Sequence, residues 1–302
     1  MKNITLKRIA ASAISIAVLG SFTACSGSAS ETTAAGSAAG TTAAGESAED
    51  TTAADDQTAE GTVITIGASV TPHTEILEFA KPILEEQGIT LEIVTLEDYI
   101  TPNTGVIEGS LDANYCEHQP YLDQFNEENG SDLVSIGAVH YEPFGIYVGR
   151  VDSLEDLPDG ALIAVPNDVT NEARALLLLE QEGFITLSDD AGINATVADI
   201  VENPHDIQLV ELAPEQLVAT LPDVDFAVIN GNYAIEGGLS VNDALAVEAN
   251  DGIAAQTYGN IIVTTPDHAD DPALIALVEV LQGPEVAEYI ESTYDGAVVP
   301  LF

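Results

Sequence analysis

Thr62–Ala68 reads T-V-I-T-I-G-A, and the forty residues around it decide the architecture. β-Branched residues alternate through the run, as in a buried strand. Val70-Thr71-Pro72-His73 turns the chain. Ile76, Leu77, Ala80, Ile83 and Leu84 then fall at helical spacing, and Gly88 stops the helix. Pro82 lies inside that pattern, where it should kink or shorten the helix. Leu91–Leu96 is a second apolar run. Strand, helix and strand in this order make a β-α-β unit, which implies parallel strands.

Working outward, Asp98-Tyr99 and Thr101-Pro102-Asn103 form a loop at the end of the second strand, before a short helix around Val106–Gly109. Ala113–Tyr121, A-N-Y-C-E-H-Q-P-Y, is a short strand running into a turn closed at Pro120. A helix with Leu122 and Phe125 follows, then a strand at Leu133–Val139 and an extended run, Tyr141–Val148, that could cross into a second lobe. Ala161–Val165, a helix from Glu172 to Glu182, Ile207–Leu212, a helix through Gln216 to Leu221, and Asp225–Ile229 make the second α/β set. Asn260–Thr264 could return the chain to the first lobe, and helices Pro272–Leu281 and Pro284–Tyr294 close it. The expected fold is α/β with two lobes, one from 62–146 and 255–302, the other from 147–254. Ligands in such sheets gather at the C-terminal strand ends, here in a cleft between the lobes.

The first sixty residues are of another kind. Lys2, Lys7 and Arg8 precede an apolar run, Ile9–Phe22, and Thr23-Ala24-Cys25. The run is short for a membrane span and has the flanks of a secretory signal. Residues 1–24 read as a lipoprotein signal peptide and Cys25 as the lipidated new N-terminus; a simple signal cut nearby is the alternative. Phe22 stands where leucine is usual. Residues 26–61, rich in Ser, Ala, Gly, Thr and Glu, cannot bury a core and read as a disordered tether. Such a coil spans about 30–35 Å and holds the body just off the extracytoplasmic face of a membrane.

After the signal only Lys81, Arg150 and Arg174 are basic, against 51 acidic residues, a charge near −48. Nucleic acid is a poor partner for such a body. With Cys25 lipidated, Cys116 is the one remaining cysteine, so no internal disulfide forms. G-x-S-x-G, H-E-x-x-H and P-loop motifs are missing, which argues against an enzyme. His73, His118, His140, His205 and His268 are scattered without ligand spacing, so neither a metal nor a cofactor is expected.

Two walls of a cleft can be named. Tyr115, Cys116, His118 and Tyr121 form an aromatic, weakly polar surface that suits a thioether, because sulfur sits well at ring edges. The same residues could also be half-buried core tyrosines and a turn histidine. On the other side Asn171 is a candidate N-cap with Arg174 one turn into its helix. Helix N–H groups with an arginine make a carboxylate site; a surface arginine paired with Glu172 or Glu180 is the alternative. Asn230 and Asn260 each offer an uncharged donor and acceptor, although Asn230-Gly231 is also a common turn pair.

Over residues 62–302 the chain closely resembles the NlpA-type methionine-binding lipoproteins, substrate-binding components of methionine ABC importers. The resemblance rests on D-Y-x-x-P-N at Asp98–Asn103, H-x-P-Y-L at His118–Leu122, E-P-x-G-I-Y at Glu142–Tyr147, P-N-D-x-T-N-x-x-R at Pro166–Arg174, A-V-I-N at Ala227–Asn230, N-I-I-V at Asn260–Val263 and G-A-V-V-P at Gly296–Pro300. It implies a periplasmic-binding-protein-like monomer that closes on a free amino acid, methionine, and serves a permease and ATPase. It further implies that the aromatic wall, Tyr99 included, takes the thioether while Arg174 and the asparagines take the main-chain groups. Cys116 and Glu117 depart from the family's usual aromatic residue and glutamine. The smaller Cys116 leaves room, so a related amino acid or methionine-containing dipeptide stays open.

Lipidation at Cys25 predicts that mass spectrometry of the membrane-extracted protein finds a lipid-modified Cys25 as N-terminus, and that Cys25→Ser releases the body into the medium. An unmodified wild-type N-terminus contradicts it.

Overall fold

Residues 61–248 and 253–302 are described in the structure, a computed structural model. The expected signal peptide, Cys25 and all but the last residue of the expected tether lie outside the described residues. The chain runs β1 (Thr62–Ser69), α1 (His73–Glu86), β2 (Ile89–Leu96), α2 (Ile100–Ile107), β3 (Ala113–His118), α3 (Gln119–Asn129) and β4 (Val134–Tyr141). It continues with β5 (Gly145–Val148), β6 (Leu162–Pro166), α4 (Val169–Gln181), β7 (Thr186–Leu187), β8 (Ile200–Glu202), β9 (Gln208–Leu212), α5 (Leu217–Thr220), β10 (Phe226–Ile229), α6 (Gly231–Glu236) and β11 (Ala246–Val247). The last elements are α7 (Ile253–Thr257), β12 (Asn260–Thr264), α8 (Pro272–Leu281), α9 (Pro284–Tyr294) and β13 (Val299–Pro300).

β1 pairs in parallel with β2 along its whole length, Thr62 opposite Ile89 to Ser69 opposite Leu96, and with β3 on its other side. β12 returns antiparallel between β3 and β4, giving the six-stranded order β13-β4-β12-β3-β1-β2. A second sheet has the order β11-β5-β10-β6-β9, with β6 parallel to β9 and β10. The chain passes from the first sheet to the second between Tyr141 and Gly145 and is back in the first at Asn260. In the first sheet's core, Ile64 and Ile66 of β1 pack with Ile76, Leu77 and Leu84 of α1 and with Leu277 and Leu281 of α8. In the second, Ile163, Val165, Phe226 and Val228 pack with Leu176 and Leu179 of α4. Each sheet buries its own apolar face, so the body is two-lobed, as expected.

Three local expectations need correction. Pro82 does not shorten α1, which continues to Glu86. Proline removes the N–H partner of the Glu78 carbonyl; Glu78 and Pro82 both lie on the exposed face, where water can satisfy it. The residues expected as a loop at Thr101–Asn103 are helical, because Asp98 Oδ1 accepts the N–H groups of Ile100 and Thr101, both at 2.7 Å, and starts α2 early. Pro102 fits there because first-turn N–H groups have no partner inside the helix. The helix expected from Gln216 to Leu221 is a single α-turn between 3-10 turns that begin near Pro214 and Pro222.

Candidate ligand-binding site

The site begins with an irregularity in β3. The pairing of β12 with β3 slips between Ile261, opposite Glu117, and Ile262, opposite Tyr115, so Cys116 has no opposite residue. Such a β-bulge re-aims the side chains around it. Cys116, Glu117 and His118, consecutive residues that would alternate on a regular strand, all line one cavity. The strand then ends in a helix start: His118 caps α3, its Nδ1 accepting the Tyr121 N–H at 3.2 Å. That places Tyr121 on the same wall, while the start of α2 supplies Tyr99 and the start of β12 supplies Asn260. The second lobe supplies Asn171 and Arg174 from α4, Asn230 from the end of β10, and Gly231 and Asn232 from α6. Glu142 completes the lining of a space of about 340 Å³, mouth included. Gly231 approaches Glu142 so closely that a Cβ would lie 2.6 Å from the Glu142 Cβ.

Eight of the nine residues named from sequence line this cavity. Tyr115 is the exception. It precedes the bulge and points into the core, fully buried, where its hydroxyl bonds His140 Nδ1 and its ring meets His73 edge-on at 4.6 Å. Glu117, Glu142, Gly231 and Asn232 line it as well, beyond the nine. Their motifs carried the signal, since E-P-x-G-I-Y begins at Glu142 and Gly231-Asn232 follow A-V-I-N directly.

Arg174 is only 5% exposed, so it is no surface arginine, and its partner is neither Glu172 nor Glu180. Nε donates to Glu248 Oε2 at 2.8 Å, and Nη2 donates to Glu248 Oε1 and to the Glu142 carbonyl. The guanidinium lies 4.4 Å from the Tyr258 ring centre and 4.7 Å from that of Phe144, within cation–π range. Burial opposes its charge, and Glu248 more than restores it. Nη1 makes no hydrogen bond among the described residues, which leaves one edge of the fork for a ligand. Asn171 is not the N-cap. Asp168 is, accepting the Asn171 N–H at 3.0 Å. The Asn171 amide instead ties the walls together: Oδ1 accepts from Asn230 Nδ2 at 2.8 Å and His118 Nε2 at 3.2 Å, and Nδ2 donates to Asp168. His118 must carry its proton on Nε2, since Nδ1 accepts. Burial, then Arg174, lowers its pKa to about 4, so the ring is neutral at pH 7.

Two further bonds cross the cleft, Tyr99 Oη to Asn232 Oδ1 at 2.6 Å and Tyr233 Oη to the Glu97 carbonyl at 2.9 Å. Among the described residues, three buried polar atoms of the lining have no partner: Asn230 Oδ1, Asn232 Nδ2 and Glu117 Oε1. The two asparagine atoms, together with Nη1, offer an acceptor and donors fit for an ammonium and a carboxylate.

Behind the lining, His73, His140 and Glu142 hold three possible metal-ligating atoms within 4.8 Å of one another, a grouping the sequence spacing did not disclose. Hydrogen bonds already use these atoms. His140 Nε2 bonds Glu142 Oε1 at 2.7 Å, and His73 Nε2 bonds Asn260 Oδ1 at 2.9 Å. Burial lowers the pKa of His73 to about 4 and of His140 to about 3, so both rings are neutral and brace Glu142 and Asn260.

The sequence profile of the NlpA lipoprotein family matches residues 64–302. The chain belongs to the NlpA lipoprotein family. Among NlpA relatives, the methionine-binding lipoprotein MetQ of Bacillus subtilis (strain 168) is 41% identical over 243 residues, covering 79% of this chain and 88% of MetQ. A lipoprotein structure from Ruminococcus gnavus ATCC 29149 matches at 52% identity and TM-score 0.79, over 80% of this chain and 99% of its own. A nutrient-binding protein from Burkholderia cenocepacia, solved bound to methionine, matches at 40% identity and TM-score 0.76, over 79% of this chain and all of its own.

The buried Arg174–Glu248 pair predicts a large cost when one partner is removed. Glu248→Ala should lower the unfolding free energy by about 3–5 kcal/mol in a denaturant titration, because it leaves the arginine buried and uncompensated. A loss below about 1 kcal/mol contradicts the pairing.

Proposed function

We propose that the protein is a lipid-anchored receptor on the extracytoplasmic face of a membrane that captures free methionine in the cleft and delivers it to an ABC importer. The observation that carries this reading is one cavity lined together by a buried arginine with a free edge, asparagine atoms without partners, and the rings and thiol of Tyr99, Tyr121 and Cys116. An amino acid offers matching groups: two charged main-chain groups and, in methionine, a soft apolar tail. In this reading the α-carboxylate takes Arg174 Nη1 and Asn232 Nδ2, and the ammonium takes Asn230 Oδ1 beside Glu142. The thioether lies along Tyr99, Tyr121 and Cys116, with His118 and Asn171 holding the walls in register and Asn260 beside Glu142. Tyr115 acts from behind, by fixing His140. The relatives named for methionine binding and the solved methionine complex support this ligand class. No helix among the described residues is long and apolar enough to cross a membrane; attachment in this reading falls to Cys25, and the importer's permease and ATPase are the partners.

A calorimetric titration with L-methionine tests the proposal. Wild type should bind it. Arg174→Lys keeps a charge opposite Glu248 but loses the fork, and should weaken binding. The Arg174→Met, Glu248→Met pair removes the anion site without leaving an unpaired buried charge. It should lose about 2–5 kcal/mol of binding, roughly 30- to several-thousand-fold, while remaining folded by circular dichroism. Wild-type affinity in that folded double variant, or no binding by the wild type, overturns the reading.

A further inference from the structure

Glu117 is a cavity-lining carboxyl that capture of an amino acid's main-chain groups leaves without a task. It is 3% exposed and sits just past the bulge of β3, beside Cys116. Its Oε2 accepts from Asn103 Nδ2 at 3.0 Å, and Asn103 Oδ1 is held in turn by Asn114 Nδ2 at 2.7 Å. Its Oε1 is buried without a partner. Arg174, the cation of the cavity, is engaged with Glu248. The titratable groups around Glu117 bring no positive charge: Cys116 and the neutral ring of His118 on its own strand and Tyr121 on α3, with Asp98 close to Cys116 and Tyr121, Asp168 close to Tyr121, and Tyr99 in the same lining. Burial raises the Cys116, Tyr99 and Tyr121 groups, which stay neutral. Burial also pushes the Glu117 carboxyl up to about 8, so it holds its proton at neutral pH. The amides of Asn103 and Asn114 oppose that rise without outweighing it; with Oε2 accepting from Asn103 and Oε1 unpartnered, the proton is placed on Oε1. The result is a buried hydroxyl donor on the β3 wall of the cavity, beside Cys116.

We propose that Glu117 is a specificity-determining residue: its Oε1–H donates a hydrogen bond to a sulfur or oxygen acceptor at the tip of the ligand's side chain. The inference rests on the amino-acid reading above and narrows it to side chains ending in an acceptor. A thioether is a weak acceptor and a sulfoxide oxygen a strong one. A hydrocarbon tip of the same length satisfies the apolar walls equally well but leaves the hydroxyl closed in and unpartnered, which is costly. The same logic fixes the pH dependence. The binding form is the protonated one, so the preference is present below the raised pKa and is lost as pH rises through about 8.

The test is calorimetry with L-methionine, L-methionine sulfoxide and L-norleucine at pH 6.5 and pH 9, on wild type, Glu117→Gln and Glu117→Leu. Affinity ratios are compared, because the three ligands share the titration of their own ammonium. At pH 6.5 wild type should bind both sulfur ligands roughly tenfold tighter than norleucine, the lower part of the range for an unpaired buried group. The preference should shrink towards unity at pH 9. Glu117→Gln, whose amide N–H can replace the hydroxyl while its oxygen still accepts from Asn103, should keep the preference at both pH values. Glu117→Leu should abolish it; should that variant not fold, the wild-type pH profile and the glutamine variant decide alone. Equal affinity of wild type for methionine and norleucine at pH 6.5, or a preference unchanged at pH 9, overturns the inference and leaves amino-acid capture standing. Failure of all three ligands to bind wild type overturns both.

Discussion

A guanidinium kept charged, flat and partly free inside the protein is the constraint on which the cleft depends. Burial works against the charge of Arg174, and its surroundings answer in three ways. Glu248 takes two of its donors, the Glu142 carbonyl takes a third, and the rings of Tyr258 and Phe144 lie within cation–π range of the planar group. Buried ion pairs are seldom a net gain in stability, because desolvation offsets their attraction. Their use here is positional: the one edge left open is fixed in direction and set in an interior where a carboxylate meets it strongly. In a chain with three basic residues after Arg8, and Arg150 held by Asp225, this is the cation available to the cavity.

The rest of the site is arranged so that both lobes must meet for it to be complete. The bulge in β3 turns three consecutive side chains to the cavity from one lobe, and α4, β10 and α6 bring theirs from the other. Three contacts that join the walls, Tyr99 with Asn232, His118 with Asn171 and Tyr233 with Glu97, are hydrogen bonds between neutral groups, each contributing about 1 kcal/mol net. Arg174 with the Glu142 carbonyl and Tyr141 Oη with Glu248 add charge-assisted bonds beside them. A ligand touching both lobes adds interactions present only when the cleft is shut, and shifts the population towards that state. The neutral His73 and His140 behind the lining hold Glu142 and Asn260 without adding charge.

Much of this was legible in the sequence because it follows local rules. The β-branched run at Thr62, the helical spacing after it and the strand at Leu91 gave the parallel unit, and polar residues clustered just beyond strand ends gave eight of the cavity's residues. What the sequence does not show is non-local. Tyr115 looked equivalent to Tyr121 because a bulge cannot be read from one strand; it is visible only in the pairing with β12. Asn171 looked like a cap because Asp168, three residues earlier, fills that role equally well on paper. Glu248 lies 74 residues beyond Arg174, and no spacing rule connects them. The His73–His140–Glu142 group is likewise assembled from the start of α1 and the end of β4, which are distant in sequence.

The central claim is that Arg174 presents one edge to the ligand while Glu248 keeps the other. A crystal structure of the protein with L-methionine tests it most directly. The account predicts the α-carboxylate at about 2.7–3.1 Å from Arg174 Nη1, with Glu248 still bonded to Nε and Nη2 and the thioether between Tyr99, Tyr121 and Cys116. A ligand whose carboxylate lies away from Arg174, or whose side chain points towards it, contradicts the account.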